Sequence, residues 1–179
     1  MRFAIGILIL AGSGQVFLSG LPAQDTKVQD PQKQLGKTVG APSYTYDSAR
    51  DASADIERAV IEARKTGKRI LLDVGGDWCP WCRALDRLLE LHPDLVRLRD
   101  ENFITVRVYY GSENKNPQIL SRYSKVLGIP HVFVLNETGT LLHSQHMTEL
   151  QVNGNYTAER MKDFLTKWSP PAGKATNRP

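Results

Sequence analysis

The feature that most constrains this chain is a pair of cysteines three residues apart, Cys79-Pro80-Trp81-Cys82, set between two runs of different periodicity. Before it stands Arg69-Ile70-Leu71-Leu72-Asp73-Val74, a short apolar stretch that ends at two glycines and reads as a buried strand. After it, Ala84, Leu85, Leu88 and Leu89 recur at helical spacing. A chain that passes from strand through Gly75-Gly76 into helix here places Cys79 at the helix mouth. The N–H groups of a first helical turn lack intrahelical partners and carry about half an elementary positive charge. A thiolate is stabilised in that position. Pro80 suits a first helical residue, where its missing N–H is not needed. Spacing of i and i+3 brings both sulfurs to one side of a single turn. The expectation is an exposed nucleophile at Cys79 and a resolving thiol at Cys82, one turn inside. Arg83 adds positive charge beside the pair.

Three other uses of the pair compete. A zinc site would need ligands from His92, His131, His143 or His146, because the chain has only two cysteines. No two of these histidines combine tight spacing with an obvious setting, His143 and His146 coming nearest. Haem attachment wants histidine directly after the second cysteine, where Arg83 stands. A purely structural disulfide would close a loop so short that it constrains the unfolded chain little. A redox-active dithiol is the leading reading. The run His143-Ser144-Gln145-His146-Met147 raises the thought of copper, but reads more simply as a polar hairpin exit with a methionine filling a gap. No metal and no cofactor is expected.

The N-terminus bears on where this chemistry runs. Met1-Arg2 precedes an apolar stretch, Phe3 to Ala11, followed by small residues and Leu21-Pro22-Ala23. This is a secretory leader pattern, with residues 1–23 as signal peptide and cleavage after Ala23. Both cysteines would then work in the periplasm or outside the cell, where disulfides persist. Residues 24–47 are rich in Gln, Lys, Asp, Gly and Pro and read as a flexible linker, with Pro42 to Asp47 a weak edge strand. The formal net charge of +4 over 179 residues is interspersed rather than clustered, which argues against a nucleic-acid partner.

Residues 48–168 read as one domain and residues 169–179 as a Pro-rich tail. Ile56, Ala59, Val60 and Ala63 give the first helix its stripe, and Gly67 stops it. The helix after the cysteines runs to Leu91 and breaks at His92-Pro93. Asn102 to Tyr109 is a strand, Pro117 to Leu127 a helix, and Val132 to Leu135 a strand. Thr140 to Gln145 pairs back through the turn Asn136-Glu137-Thr138-Gly139. Thr157 to Trp168 is the last helix. The residues between, Gln151 to Asn155, are a link of unassigned form. The order α-β-α-β-α-β-β-α defines an α/β fold with a mixed sheet flanked by helices.

Three features in order resemble the thioredoxin superfamily over residues 50–168. They are Trp78-Cys79-Pro80-Trp81-Cys82 at a strand-to-helix junction, Asp73 six residues before Cys79, and Gly128-Ile129-Pro130 before the strand Val132–Leu135. The run Gly75 to Arg83 is most similar to the exported branch related to thiol:disulfide interchange proteins. The resemblance implies a thioredoxin-like fold with a four- to five-stranded mixed sheet, and a protein-disulfide reductase. It implies that Pro130 is cis, and that Ile129 offers its backbone to an extended substrate. It implies that Asp73 is a buried acid able to exchange a proton with Cys82, and that Trp78 and Trp81 form an apolar docking surface. Protein disulfides would be the substrates and a membrane-bound electron donor the partner, with the chain a monomer. Many thioredoxins carry a lysine near the buried acid. By counting, Val108 falls there and Arg107 is the nearest cation. A client-binding assembly factor and an oxidase or isomerase running in reverse are the alternatives.

Overall fold

Alternation along one central strand decides which side chains meet the cysteines. The computed structural model describes residues 45–171, all within one compact unit, residues 40–179. The expected signal peptide, linker residues 24–44 and tail residues 172–179 lie outside the described residues. The first helix, α1 (Ala52–Thr66), is capped by Asp51, whose carboxylate accepts from the amides of Ser53 at 2.9 Å and Ala54 at 3.2 Å. It stops at Gly67, whose φ of 71° turns its N–H back onto the Ala63 carbonyl. The chain then runs through β1 (Arg69–Gly75), α2 (Pro80–Leu91), α3 (Pro93–Asn102), β2 (Phe103–Tyr109) and a single turn α4 (Pro117–Leu120). After β3 (His131–Leu135) and β4 (Leu141–His146) come a 3-10 turn (Met147–Leu150), the two-residue strands β5 (Gln151–Val152) and β6 (Asn155–Tyr156), and α5 (Ala158–Lys167).

The main sheet has four strands in the order β2-β1-β3-β4. The β1 and β2 strands are parallel, whereas β3 runs antiparallel to both β1 and β4. Side chains of a strand alternate between faces. Ile70, Leu72 and Val74 therefore join Ile56, Ala59 and Ala63 of α1, with Phe133 and Leu135 of β3 beside them. Leu71 faces the other way, into a core of Leu85, Leu95, Val132, Phe164 and Leu165 supplied by α2, α3, β3 and α5. Asp73 follows Leu71 on this second face, beneath the helix that carries the cysteines.

At four places the structure departs from the sequence expectation or adds to it. The main sheet has four strands, within the four to five expected; of the edge strand expected over Pro42 to Asp47 only residues 45–47 are described, and they form no strand. The helix expected over residues 117–127 ends at Leu120. Amides of Arg122 and Tyr123 bond three residues back, to Ile119 and Leu120, so the backbone tightens into turns. Tyr123 and Val126 still pack on the core, and their spacing recorded burial rather than helix. Residues 93–102 form a further helix that was not expected. Pro93 occupies its first turn, where proline is tolerated, and Leu95 is buried beneath it. The link at residues 151–155 is a hairpin, β5 pairing with β6 across Asn153 (φ 51°) and Gly154 (φ 78°). An Asn-Gly pair with both φ values positive is the favoured two-residue hairpin turn.

Phe133 is fully buried, with Tyr123 and His131 against its ring at centroid separations of 5.5 and 4.6 Å. Phe133→Ala is expected to cost about 3–5 kcal/mol through lost burial and the cavity left behind. Denaturant unfolding of the variant against the parent chain measures it.

Candidate active site

The site begins where β1 ends. Gly75 closes the strand, the amide of Cys79 bonds back to the Gly76 carbonyl at 2.9 Å, and α2 starts at Pro80. Cys79 is the N-cap of α2. Its Sγ accepts from the amide of Cys82 at 3.3 Å, taking the place usually held by a serine or aspartate oxygen. The thiol of Cys79 also lies 3.7 Å from the Ile129 carbonyl, toward which it donates. The Ile129–Pro130 bond is cis. The sulfur thus sits between the mouth of a helix and the backbone that leads into β3. Both cysteines are free thiols.

Cys79 was expected to be exposed, and it is not, with only 3% of its surface open. It is packed with Tyr46 and Cys82, and Tyr109 and Ile129 lie at the edge of this group. An N-cap side chain turned back toward its own helix has little surface left for solvent. Cys82 is buried as expected for a resolving thiol, and burial pushes its thiol well above the usual range, with the Cys79 contact adding to the effect.

Beneath the pair lies Asp73, 8% exposed. Burial raises its carboxyl above the ordinary range, while the neighbouring Arg107 guanidinium pulls it back. The register of the parallel pair sets Arg107 directly beside Asp73. Arg107 Nε stands 3.7 Å from Asp73 Oδ2, and the rest of the guanidinium binds Asp86 on α2. The cation near the buried acid is therefore Arg107, while Val108 is buried on the other face of the sheet with Val74. A cavity of about 40 Å³ adjoins Asp73, Arg99 and Thr105. Asp73 Oδ1 makes no hydrogen bond, which adds to the cost of charging it.

Sequence reasoning missed Tyr46. Its hydroxyl and Cys82 Sγ each lie 2.7 Å from where a Cβ on Gly75 would stand. Only glycine leaves room for both at that position. The signal available was a tyrosine pair, Tyr44 and Tyr46, at the border of a polar linker, and nothing local marked one of them for burial beside the cysteines.

Around the dithiol the surface is aromatic. Trp78 is 53% exposed and Trp81 is 46% exposed. The ring of Trp81 meets Tyr156 of β6 edge to face at 6.2 Å. Arg83 reaches back to the Asp77 carbonyl at 2.6 Å, which ties the first turn of α2 to the preceding loop. The four expected site elements converge: Cys79 and Cys82, Asp73 below them, the tryptophans beside them, and Ile129-Pro130 across from Cys79.

His131 and His146 pair across β3 and β4, with ring centroids 6.5 Å apart. His143 stacks on Trp168 at 4.4 Å, and His146 bonds Thr148. Among the described residues no three His, Cys, Asp or Glu side chains are placed to hold a metal ion. No helix among them is long and apolar enough to cross a membrane.

A four-stranded mixed sheet, a helix capped by the first cysteine and a cis-proline facing it make a thioredoxin-like fold, and the thioredoxin-like family model matches residues 51–137. The chain is similar to the thiol:disulfide interchange protein DsbD of Pseudomonas fluorescens, at 27% identity over 175 residues, covering 93% of this chain and 28% of that protein. It is similar to DsbE of Pseudomonas aeruginosa at 26% identity, covering 64% of this chain and 69% of the relative. The chain thus spans less than a third of the DsbD relative and about two thirds of the DsbE relative. Among solved structures, the disulphide isomerase from Xylella fastidiosa superposes with a TM-score of 0.60 at 28% identity, covering 73% of this chain and 98% of that one.

His131, directly after Pro130, is fully buried. Its Nε2 pairs with Ser144 Oγ at 2.8 Å and its Nδ1 has no partner. Burial, with His146 and His143 nearby, lowers its pKa to about 4. The unfolded chain binds this proton near pH 6.5, so between about pH 6.5 and 4 the unfolded state holds more protons and stability falls as pH falls. A loss of about 3 kcal/mol is expected across that window. Unfolding curves at stepped pH measure it, and His131→Gln should flatten the slope there.

Proposed function

We propose that this chain is an exported thiol–disulfide oxidoreductase that reduces protein disulfides through Cys79 and Cys82. One observation carries the reading: Cys79 Sγ is held at the mouth of α2 by the Cys82 amide and faces the Ile129 carbonyl across the gap to Pro130. In the first step the Cys79 thiolate attacks a substrate disulfide. A bond forms between Cys79 and one substrate sulfur, and the other sulfur leaves as a thiolate. Loss of the Cys79 proton removes the donor from its contact with Ile129, so that carbonyl no longer holds the sulfur under cover. In the second step Cys82 gives its proton to Asp73 and attacks Cys79. The substrate leaves with both sulfurs reduced, and the chain keeps a Cys79–Cys82 disulfide. Trp78 and Trp81 are the docking surface. Ile129 offers its backbone to an extended segment bearing the target cystine.

Export, read from residues 1–23, removes the chain from cytosolic reductants. A dithiol donor, membrane-bound in this reading, must then return two electrons to the Cys79–Cys82 pair. The same geometry runs backward as an oxidase or isomerase, and the likeness to a structure named as a disulphide isomerase favours keeping that second reading. Direction is set by the potential of the couple, where about 30 mV is worth 1.4 kcal/mol. Equilibration with glutathione buffers measures it. A potential more reducing than the glutathione couple supports the reductase, and a strongly oxidising one overturns it.

Cys79→Ser is expected to bring the reduction of insulin disulfides down to the rate of the chemical reductant alone. Cys82→Ser should accumulate mixed disulfides through Cys79, visible as adducts on non-reducing gels that dissolve with dithiothreitol. A protein that only holds clients would retain them with both thiols alkylated.

A further inference from the structure

Trp81 lies in the first turn of α2, between the two cysteines, and nearly half of its surface is open. Cover on one side comes from β6. The ring of Tyr156 meets the indole edge to face, with centroids 6.2 Å apart and planes at 85°. In that geometry the positive edge of one ring faces the negative face of the other. Tyr156 is itself held from three directions. Its ring packs on the core that Leu85 of α2 and Met161 and Phe164 of α5 help to form. Before it, the Asn153-Gly154 turn closes the hairpin, and Tyr156 pairs with Gln151. After it, Thr157 caps α5, its hydroxyl accepting from the Arg160 amide at 3.3 Å. A tyrosine placed between a tight turn and a capped helix has little freedom to leave the indole. Trp78 is seated separately, with its indole against Gly76, where a Cβ would collide with it.

We propose that Tyr156 is a positioning residue for substrate choice: it holds the Trp81 indole beside the dithiol, where the open part of the indole receives an apolar side chain flanking the cystine of an extended partner segment. This rests on the reading that Cys79 attacks a protein disulfide. A cystine brought to Cys79 carries its neighbouring residues past Trp81, which adjoins Cys82 and is separated from Cys79 by Pro80 alone. The groups around the indole decide the chemistry of the side chain it takes. Tyr156 is aromatic, and the adjacent Arg83 turns its guanidinium to the Asp77 carbonyl at 2.6 Å. A side chain laid on the indole therefore gains by leaving water rather than by meeting a charge. An unsupported indole would lose conformational freedom at the moment of docking, whereas one already held by Tyr156 has little left to lose. A partner with polar residues beside its cystine would still exchange at Cys79, but would bind less tightly.

The test uses the full chain and a pair of synthetic disulfide-bonded peptides, alike except that leucines flank the cystine in one and serines in the other. Dithiothreitol keeps the dithiol reduced, and its own rate is subtracted. The readout is the ratio of kcat/KM for the leucine peptide to that for the serine peptide, which a general fault in the fold or in the thiols does not move. Wild type should favour the leucine peptide about tenfold, mostly through KM. Tyr156→Leu keeps apolar burial but deletes the ring, and should lower that preference about threefold, while Tyr156→Phe retains it. In Trp81→Ala the preference should be gone, and adding Tyr156→Leu should change nothing further. The proposal is overturned if Tyr156→Leu keeps the full preference, or if it lowers the ratio as far when Trp81 is absent. If wild type reduces both peptides equally well, the exchange reading stands and this proposal alone falls. If wild type reduces neither, both fall. Tyr156→Met repeats the measurement should Tyr156→Leu not fold, and loss of fold in both would make Tyr156 a purely structural residue and overturn the proposal.

Discussion

A sulfur capping a helix is the contact on which the rest of the molecule depends. Most helices of this kind begin with an oxygen that satisfies a free amide. In α2 that duty falls to Cys79, so the group that satisfies the backbone is also the thiol on which the proposed exchange turns. The arrangement requires three elements to arrive together. The β1 strand must end at glycine, α2 must begin with proline, and β3 must bring the Ile129 carbonyl to the same point from its own start. Antiparallel pairing of β3 with β1 makes this meeting possible, since the N-terminal end of β3 lies beside the C-terminal end of β1.

Below the cap, charge is handled by register. Asp73 in the middle of an apolar strand would be a liability if left alone, because desolvation disfavours its charged form. The parallel partner strand supplies Arg107 at the matching position, and Arg107 in turn is held by Asp86 from the helix above. The acid is therefore partly compensated rather than neutralised. Burial favours its neutral form, and the neighbouring guanidinium works against that preference. Full pairing would leave it permanently charged, and full isolation permanently neutral.

Much of this was legible in the residues. Cys79, Cys82, Asp73, the tryptophans and Ile129-Pro130 were each marked by local pattern or by resemblance, and the structure gathers them. What could not be read was anything fixed by distant packing. The exposure of Cys79 depends on Tyr46 and Ile129, which lie far from it in the chain. Tyr46 itself carried no periodic signal, because a lone aromatic in a polar segment looks the same buried or free. The false helix at residues 121–127 arose because Tyr123 and Val126 are half-buried at helical spacing while the backbone between them turns three residues at a time. In contrast, the hairpin at residues 151–156 was written plainly in Asn153-Gly154 and was passed over for want of apolar strands on either side.

That hairpin stands outside the main sheet and meets the site through Tyr156, whose ring lies against Trp81 and packs on the core beneath α2. The hydrogen bonds of the main sheet do not set its length. Part of the aromatic wall beside the dithiol therefore hangs on an element apart from the strands that lead to the two sulfurs.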